Sequence, residues 1–449
     1  MKHTTMKKHI TYILILALGS LISLNSNAQI INTIAGTGVA AYNGDGIAAV
    51  NAQLNTPVMI TTDAAGNLYI ADALNYRIRK ITTSGLISTI AGTGVAGFSG
   101  DGTAASNAQI SIPQAIAIDS MGNIYVSDGS NHRIRKINAA GIISTVVGTG
   151  VSGYSGDSGL ATNATIFAPL GIALDALGNL YISDRNNFRI RKVNTSGIIS
   201  TIAGTGTQGF SGDAGLAINA NIYGPSSIAV DTAGNVYFCD NQRIRKINTA
   251  GIISTIAGTG AVGFNGDGGL ATSATLYYPS GLTFDKSGDL YFGDTDNNRV
   301  RKINSSGIIS TEAGSGISGF SGDGSLAINA HLQGPNCVTF DVIGNMYISD
   351  FRNQRIRKVN ALTTNGNHLK QNNPTVSIYP NPSNGVFTTL STTEGIFTII
   401  NELGQTIQSI NLNASNNFSS TTSGLKTGIY FIIGLNNNTV ITRKIVVVN

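Results

Sequence analysis

Tryptophan is absent, cysteine occurs only twice (Cys239 and Cys337) and glutamate only three times (Glu312, Glu394 and Glu402) in 449 residues. Two cysteines exclude a disulfide framework as the source of stability. Charged side chains make up only 11% of the chain against 41% apolar, a balance that excludes charge-driven disorder. Histidine is scarce as well. Of the five, His3 and His9 sit near the N-terminus, and His132, His331 and His368 share no spacing suited to a metal. Glycine, in contrast, fills 55 positions. Without a Gly-X-Y period this excludes collagen and points to a turn-rich all-β chain. The length allows two or three domains.

Long hydrophobic runs are also missing, with one exception. Lys2, Lys7 and Lys8 precede an apolar stretch from Ile10 to Leu24, which ends in Ser26-Asn27-Ala28. That stretch is too short and wrongly flanked for a spanning helix and reads as a signal peptide over residues 1–28, cut between Ala28 and Gln29. Its loss removes three lysines and no acid, so the formal charge falls from +5 to +2. A nearly neutral mature chain lacks the electrostatic footprint of a nucleic-acid binder. With no other membrane-spanning stretch, the expected product is an exported soluble protein.

The dominant feature is an internal repeat. Ala-Gly-Thr-Gly begins at Ala35, Ala91, Ala203 and Ala257, with variants at Val147 and Ala313, at intervals of 56, 56, 56, 54 and 56 residues. Each copy continues through an aromatic residue to Gly-Asp (Asp45 in the first), then a proline and an apolar run ending in aspartate. A Gly-Asn or Gly-Asp turn, Tyr-x-x-Asp and Arg-[Ile/Val]-Arg-Lys close the unit. In the second copy, strands are expected at Ala115 to Asp119, Ile124 to Asp128, Arg133 to Ile137 and Gly141 to Val147. Strands this short and apolar on both faces fit the stacked blades of a β-propeller. The fourth-strand motif first occurs at Ile30 to Ala35, before any complete unit, and the last unit ends near Asn360 without one. The N-terminal strand is therefore expected to complete the last of six blades, which leaves no open edge.

The run from Pro169 through Gly-Ile-Ala-Leu-Asp175, Gly-Asn-Leu-Tyr-Ile-Ser-Asp184 and Arg-Ile-Arg-Lys192 resembles the bacterial NHL repeat. The resemblance recurs six times over about three quarters of the chain. It implies a six-bladed propeller over residues 29–360 but no particular chemistry, because fold does not dictate function. NHL propellers include protein- and RNA-binding modules, and related six-bladed propellers include lyases and lactonases. This chain departs from the pattern by a long insertion before each proline, which should enlarge one face.

Residues 361–375 are polar, lack the repeat and read as a linker. From Val376 onward, short alternating strands predict a small C-terminal β-sandwich over residues 376–449. Its opening Tyr379-Pro380-Asn381-Pro382 with Gly385, its middle Gly428 and Tyr430, and its terminal run from Lys444 resemble the type A sorting domain of the type IX secretion system. The resemblance implies two-step export in a Bacteroidetes-type bacterium, with the type IX machinery as a partner and a secreted or outer-surface destination. Asp119-Ser120-Met121 and Asp231-Thr232-Ala233 further resemble a short O-glycosylation motif of such cells.

Most charges belong to the repeat: 18 of the 25 Lys and Arg of the mature chain lie in the Arg-x-Arg-Lys sets, and 18 of its 20 Asp fall three per unit. Such residues are expected to serve the blades. Asp72 should pair with Arg77 across a strand turn, Asp63 should close a tight turn, and Asp45 should cap the Ala-rich turn after it. Function is then expected where the symmetry breaks, in the loops between second and third strands. The candidate ligand-binding residues there are Tyr76, His132, Arg185, Phe188, Asp296, Phe351 and Arg352.

No catalytic constellation is found. A broken nucleophile-elbow pattern at Gly314-Ser315-Gly316 belongs to the repeat, and the strands expected around the channel (Pro57 to Thr62 and counterparts) carry almost no acid or histidine. No cofactor is expected; a structural calcium would have to sit in the channel or in loops such as Asn43-Gly44-Asp45-Gly46, whose spacing is not that of an EF-hand. Cys239 and Cys337 fall in units that are not neighbours in a ring, so no disulfide is expected. The function expected is a surface-displayed module binding an extracellular protein or glycan. The alternatives are a metal-dependent lyase or lactonase, and an architectural protein with no discrete ligand.

Overall fold

The computed structural model describes residues 29–361, 376–379, 383–391, 395–402, 405–416, 419–436 and 439–448. The signal segment with Ala28, residues 362–375 of the linker, and Pro380, Asn381 and Pro382 lie outside the described residues. The chain divides into two compact units, Met1–Leu362 and Thr363–Asn449.

Each repeat of the first unit builds one antiparallel blade, and its strands are short because a turn residue punctuates every five or six positions. Blade 1 consists of Pro57–Thr62, Leu68–Asp72, Arg77–Ile81 and Leu86–Ala91, paired in that order from the inside out. Blades 2 to 5 repeat this, with inner strands Pro113–Ile118, Pro169–Leu174, Pro225–Val230 and Pro279–Phe284. Blade 6 takes Pro335–Phe340, Met346–Asp350 and Arg355–Val359 from the last repeat, and its outer strand is Ile30–Ala35. Ile31 lies opposite Val359 and Asn32 opposite Lys358, so the N-terminal strand closes the ring as expected.

The second strands are buried along their whole length except at Tyr125 in blade 2, which is partly exposed; every residue of Leu68–Asp72 is buried. Both faces of these strands are covered because the core lies between blades. Tyr69, Ala71 and Ile78 of blade 1, for example, pack with Ile110, Ile116 and Val126 of the second repeat. The seam between blades 6 and 1 is joined in the same way. Thr62 Oγ1 donates to Phe340 O at 2.7 Å, Ser349 Oγ donates to Pro57 O, and Cys337 Sγ lies 2.9 Å from Met59 Sδ. Both cysteines are buried free thiols.

Two charge pairings differ from expectation. Asp72 stands directly opposite Arg77 in the ladder, yet its ion pair is with Arg79, at 3.4 Å. Arg77, at the strand start, reaches loop carbonyls instead, donating to Asn75 O and Thr93 O. Arg79, one diagonal step further, is long enough to swing back over the strand end. Asp45 does not cap the Ala49–Asn51 turn, which has no side-chain cap; it pairs with Arg79 at 3.0 Å and accepts from Thr89 Oγ1. A fully buried guanidinium attracts a second carboxylate more strongly than neutral turn amides do. All six blades share this Asp–Arg–Asp bridge. Asp63 closes its turn as expected, accepting from Asn67 N, Asn67 Nδ2 and the Tyr69 hydroxyl.

Each insertion arches over its own blade. Its aromatic residue lies across both arginines of the Arg-x-Arg motif; the Phe98 ring is 3.6 Å from the Arg133 guanidinium and 4.7 Å from that of Arg135. The second glycine of Gly-Thr-Gly is required by this crowding. Gly94 has φ +88°, and a Cβ there would meet the Arg77 guanidinium at 2.3 Å. Further along, Ile47–Ala48 and Ser325–Leu326 pair with the outer strands of blades 1 and 6, and single bridges do the same in the other four. The exposed edge of each blade is thereby shortened.

The second unit has two antiparallel sheets, Val376–Tyr379, Phe387–Ser391 and Ser419–Thr422 in one, and Thr406–Leu412, Gly395–Asn401, Gly428–Asn436 and Thr439–Val447 in the other. Phe387 from the first and Phe397, Ile432 and Ile445 from the second share one core, the arrangement of a small sandwich. Gly428 opens its strand, the Tyr430 hydroxyl donates to Lys426 O, and Gly385 turns with φ +93°. Lys444 lies in the last strand, opposite Phe431.

Candidate functional site: the mouth of the central channel

Antiparallel blade topology puts two sets of connections on one face: the loops from second to third strand, and the long insertions. The second-to-third loops place the candidate residues. In five blades the loop is a single 3-10 turn whose closing residue is left-handed. Tyr76, His132 and Phe188 occupy that position, with φ between +53° and +54°. In blades 2, 5 and 6 the side chain at this position reaches the next blade. His132 Nδ1 accepts from Ala168 N at 3.2 Å, Asn298 Oδ1 from Gly334 N at 3.1 Å and Gln354 Oε1 from Thr56 N at 2.6 Å. His132 also packs edge-on against Phe167. Burial, then Arg133, holds its pKa below the usual value, which keeps the ring a neutral acceptor.

The residue that opens the same loop points toward the axis. Arg185, Thr295 and Phe351 hold this position in blades 3, 5 and 6, followed by Asp296 and Arg352 in the last two. Together with the inner strands they enclose a cavity of about 390 Å³ at the channel mouth. Four of the seven candidates, Arg185, Asp296, Phe351 and Arg352, meet there, whereas Tyr76, His132 and Phe188 are not among its lining residues. The remaining wall has an unanticipated source. The residue after each inner-strand proline contributes once per blade, as Val58, Gln114, Leu170, Ser226, Ser280 and Asn336. The repeat itself held this signal, since the position behind an invariant proline changes from apolar to amide to hydroxyl.

The charges in the cavity are unequal. Arg352 pairs with Asp296 at 2.7 Å, joining blades 5 and 6. Arg185 is exposed and, among the described residues, makes no ion pair or side-chain hydrogen bond. The rim is strained as well. Thr56, Ile112, Ala168 and Tyr278, each followed by proline, have φ between +48° and +56°, a conformation disfavoured for residues with a Cβ and more so before proline. Strain of this kind persists where surrounding structure over-determines it, often around functional sites.

Residues 15–97, 94–152, 150–211, 205–265 and 261–318 match in succession the family model described as the Teneurin NHL domain. The chain belongs to the NHL-repeat family. Residues 377–448 match the secretion system C-terminal sorting domain, which marks this NHL protein as secreted or cell-surface, carried by the type IX route of Bacteroidetes-type bacteria. Among curated proteins it is similar to Teneurin-1 of Gallus gallus (28% identity over 78% of this chain) and Teneurin-4 of Homo sapiens (29% over 74%). It spans only 14% and 13% of their lengths. Two solved structures from Bacteroides thetaiotaomicron share the fold with TM-scores of 0.55, each aligned over 74% of this chain and 76% of its own. One, at 20% identity, is a structural genomics protein of unknown function; the other, at 17%, is an auxiliary nutrient binding protein.

Among its described residues the NHL protein brings together no three His, Cys, Asp or Glu side chains able to hold a metal, and no helix is long and apolar enough to cross a membrane. The Asn43-Gly44-Asp45-Gly46 loop uses its side-chain oxygens internally: Asn43 Oδ1 accepts from Gln53 N, and Asp45 is held by Arg79. Asp296, the one carboxylate among the cavity's lining residues, is paired with an arginine. The lining offers hydrogen-bonding groups, aromatic rings and one unpaired guanidinium.

Proposed function

We propose that this NHL propeller is a surface-displayed binding module that takes an extracellular ligand, a protein chain end or a glycan, at the mouth of its central channel. The observation that carries this reading is the cavity itself, to which every blade contributes one side chain of differing chemistry at an otherwise repeated position. Pockets with a few convergent polar groups on an apolar base are the usual form of a binding site. The nutrient binding named for one structural neighbour enters only as part of this proposal. In the same reading residues 1–28 are removed after Ala28, residues 29–360 form the binding unit, 361–375 tether it, and 376–449 direct export.

The test is capture of extracellular glycans and peptides on arrays by the full chain and by Ser280→Trp, which fills the cavity mouth. Binding by the native chain that the variant loses by ten-fold or more supports the reading. Binding that the variant retains moves the site elsewhere on the loop face.

A further inference from the structure

The lining of the channel mouth is divided by chemistry, and the division points to one class of ligand. Apart from Gln114 in blade 2, the hydroxyl and amide groups not spent within the fold lie on one arc, from Ser226 in blade 4 through Ser280 in blade 5 to Asn336 in blade 6; Ser227 Oγ accepts from Leu282 N and Thr295 Oγ1 donates to Pro335 O. Such groups both donate and accept, as a ring bearing several hydroxyls requires. Phe351 and Tyr278 add aromatic surface beside that arc, and the Tyr278 ring is fixed by stacking on Tyr277 with centroids 5.4 Å apart. An aromatic face next to paired donor–acceptors suits the C–H face of a pyranose.

The two arginines then separate. Blades 3 and 6 stand opposite each other in a six-membered ring, so Arg185 and Arg352 approach the mouth from opposite sides. Arg352 is already neutralised by Asp296 at 2.7 Å. Arg185 has no partner among the described residues, and no other unpaired charge lines the cavity. A guanidinium fork facing a site with no available carboxylate is the complement of a planar, bidentate anion on the ligand.

We infer that the channel mouth binds a sugar carrying a carboxylate, a hexuronate unit, with Arg185 holding the carboxylate and the Ser226–Asn336 arc holding the ring hydroxyls. This rests on the reading that the channel mouth is the ligand site. The carboxylate is ionised at neutral pH and forms charge-assisted hydrogen bonds that a neutral hexose cannot.

The experiment uses the full chain with D-galacturonate, D-glucuronate, D-galactose, D-glucose and acetate as probes, followed by saturation-transfer NMR and calorimetry. The expected result is binding of a uronate at least about ten-fold tighter than its neutral counterpart, with acetate weaker than either uronate. Arg185→Gln should abolish that preference while leaving hexose binding in place, and Arg185→Lys should restore part of it. Arg185 is exposed and unpaired, so both variants should fold, and an unchanged melting temperature verifies this. Equal affinity for uronate and hexose, no uronate binding, acetate as tight as uronate, or a preference that survives in Arg185→Gln would each overturn the inference. Failure here with array capture still lost in Ser280→Trp overturns the ligand class alone. Uronate binding that Arg185→Gln leaves unchanged and Ser280→Trp does not affect overturns the site as well.

Discussion

Six arginines without exposed surface, Arg79 and its five counterparts, each lie between a fully buried aspartate and a half-exposed one. Burial pushes the Asp72 carboxyl up, to about 6, against hydrogen bonds from Asn75 and Asn55 N and the charge of Arg79. It remains ionised at neutral pH, and its folded form takes up a proton before the unfolded chain does, so this group favours the fold as the pH falls from 6 toward 4. His132 acts in the opposite sense. Its depressed pKa means the unfolded chain is protonated first. Its contribution is therefore full above about pH 6.5 and lost as the pH falls below that value. Gln354 performs the same inter-blade contact without titrating, which makes His132→Gln the appropriate control because the aspartate background cancels. The native chain should match His132→Gln in melting temperature at pH 8 and fall progressively below it between pH 6.5 and 5. A difference constant with pH would show that the ring is not serving as a neutral acceptor.

At the scale of the element, the insertion before each proline acts as a clamp on its own blade. One aromatic ring covers two guanidinium groups at 3.6–3.8 Å and 4.7–4.8 Å in every blade, and the following aspartate joins the same arginine. Phe98→Leu keeps apolar cover but removes the ring face. It should cost about 1 kcal/mol, as partly exposed cation–π contacts do, read from urea unfolding against Val95→Ala, whose exposed side chain should cost less. The recurring aromatic-x-Gly-Asp and Arg-x-Arg-Lys motifs are plain in the sequence; their partnership is not. Asp45 and Arg79 are 34 residues apart, and which of two arginines it meets depends on how far each side chain reaches once the strands are paired. Local capping was the nearest alternative for Asp45, and a buried cation outcompetes it.

For the whole molecule, closure is the decisive contact. Ile30–Ala35 covers the edge of Arg355–Val359, and Ile31 and Ala35 are fully buried there. A chain begun at residue 36 keeps the inner three strands of all six blades but only five outer strands, and should lose a cooperative melt and self-associate through the bared edge. Light scattering at matched concentration, against a chain begun at residue 29, measures this; a monomer of unchanged stability would mean the ring does not depend on that strand. Closure also assembles the channel mouth, since Val58 and Asn336, nearly 280 positions apart, line the same cavity.

The repeat, its six-fold count, the displaced first strand and the C-terminal sorting motif all follow from the amino-acid order, because each is a local pattern or a spacing. Candidate loops could also be located, since a break in a repeat is visible without coordinates. Which loop residues turn inward was decided only by the ring. Arg185, Thr295 and Phe351 open their loops facing the axis, while Tyr76, His132 and Phe188 close theirs in a left-handed turn and are not among the cavity's lining residues. The wall formed by Gln114, Ser226, Ser280 and Asn336 depends in the same way on six separate strands meeting around one axis. A linear sequence specifies the side chains of such a site, but their convergence is a property of the closed tertiary structure.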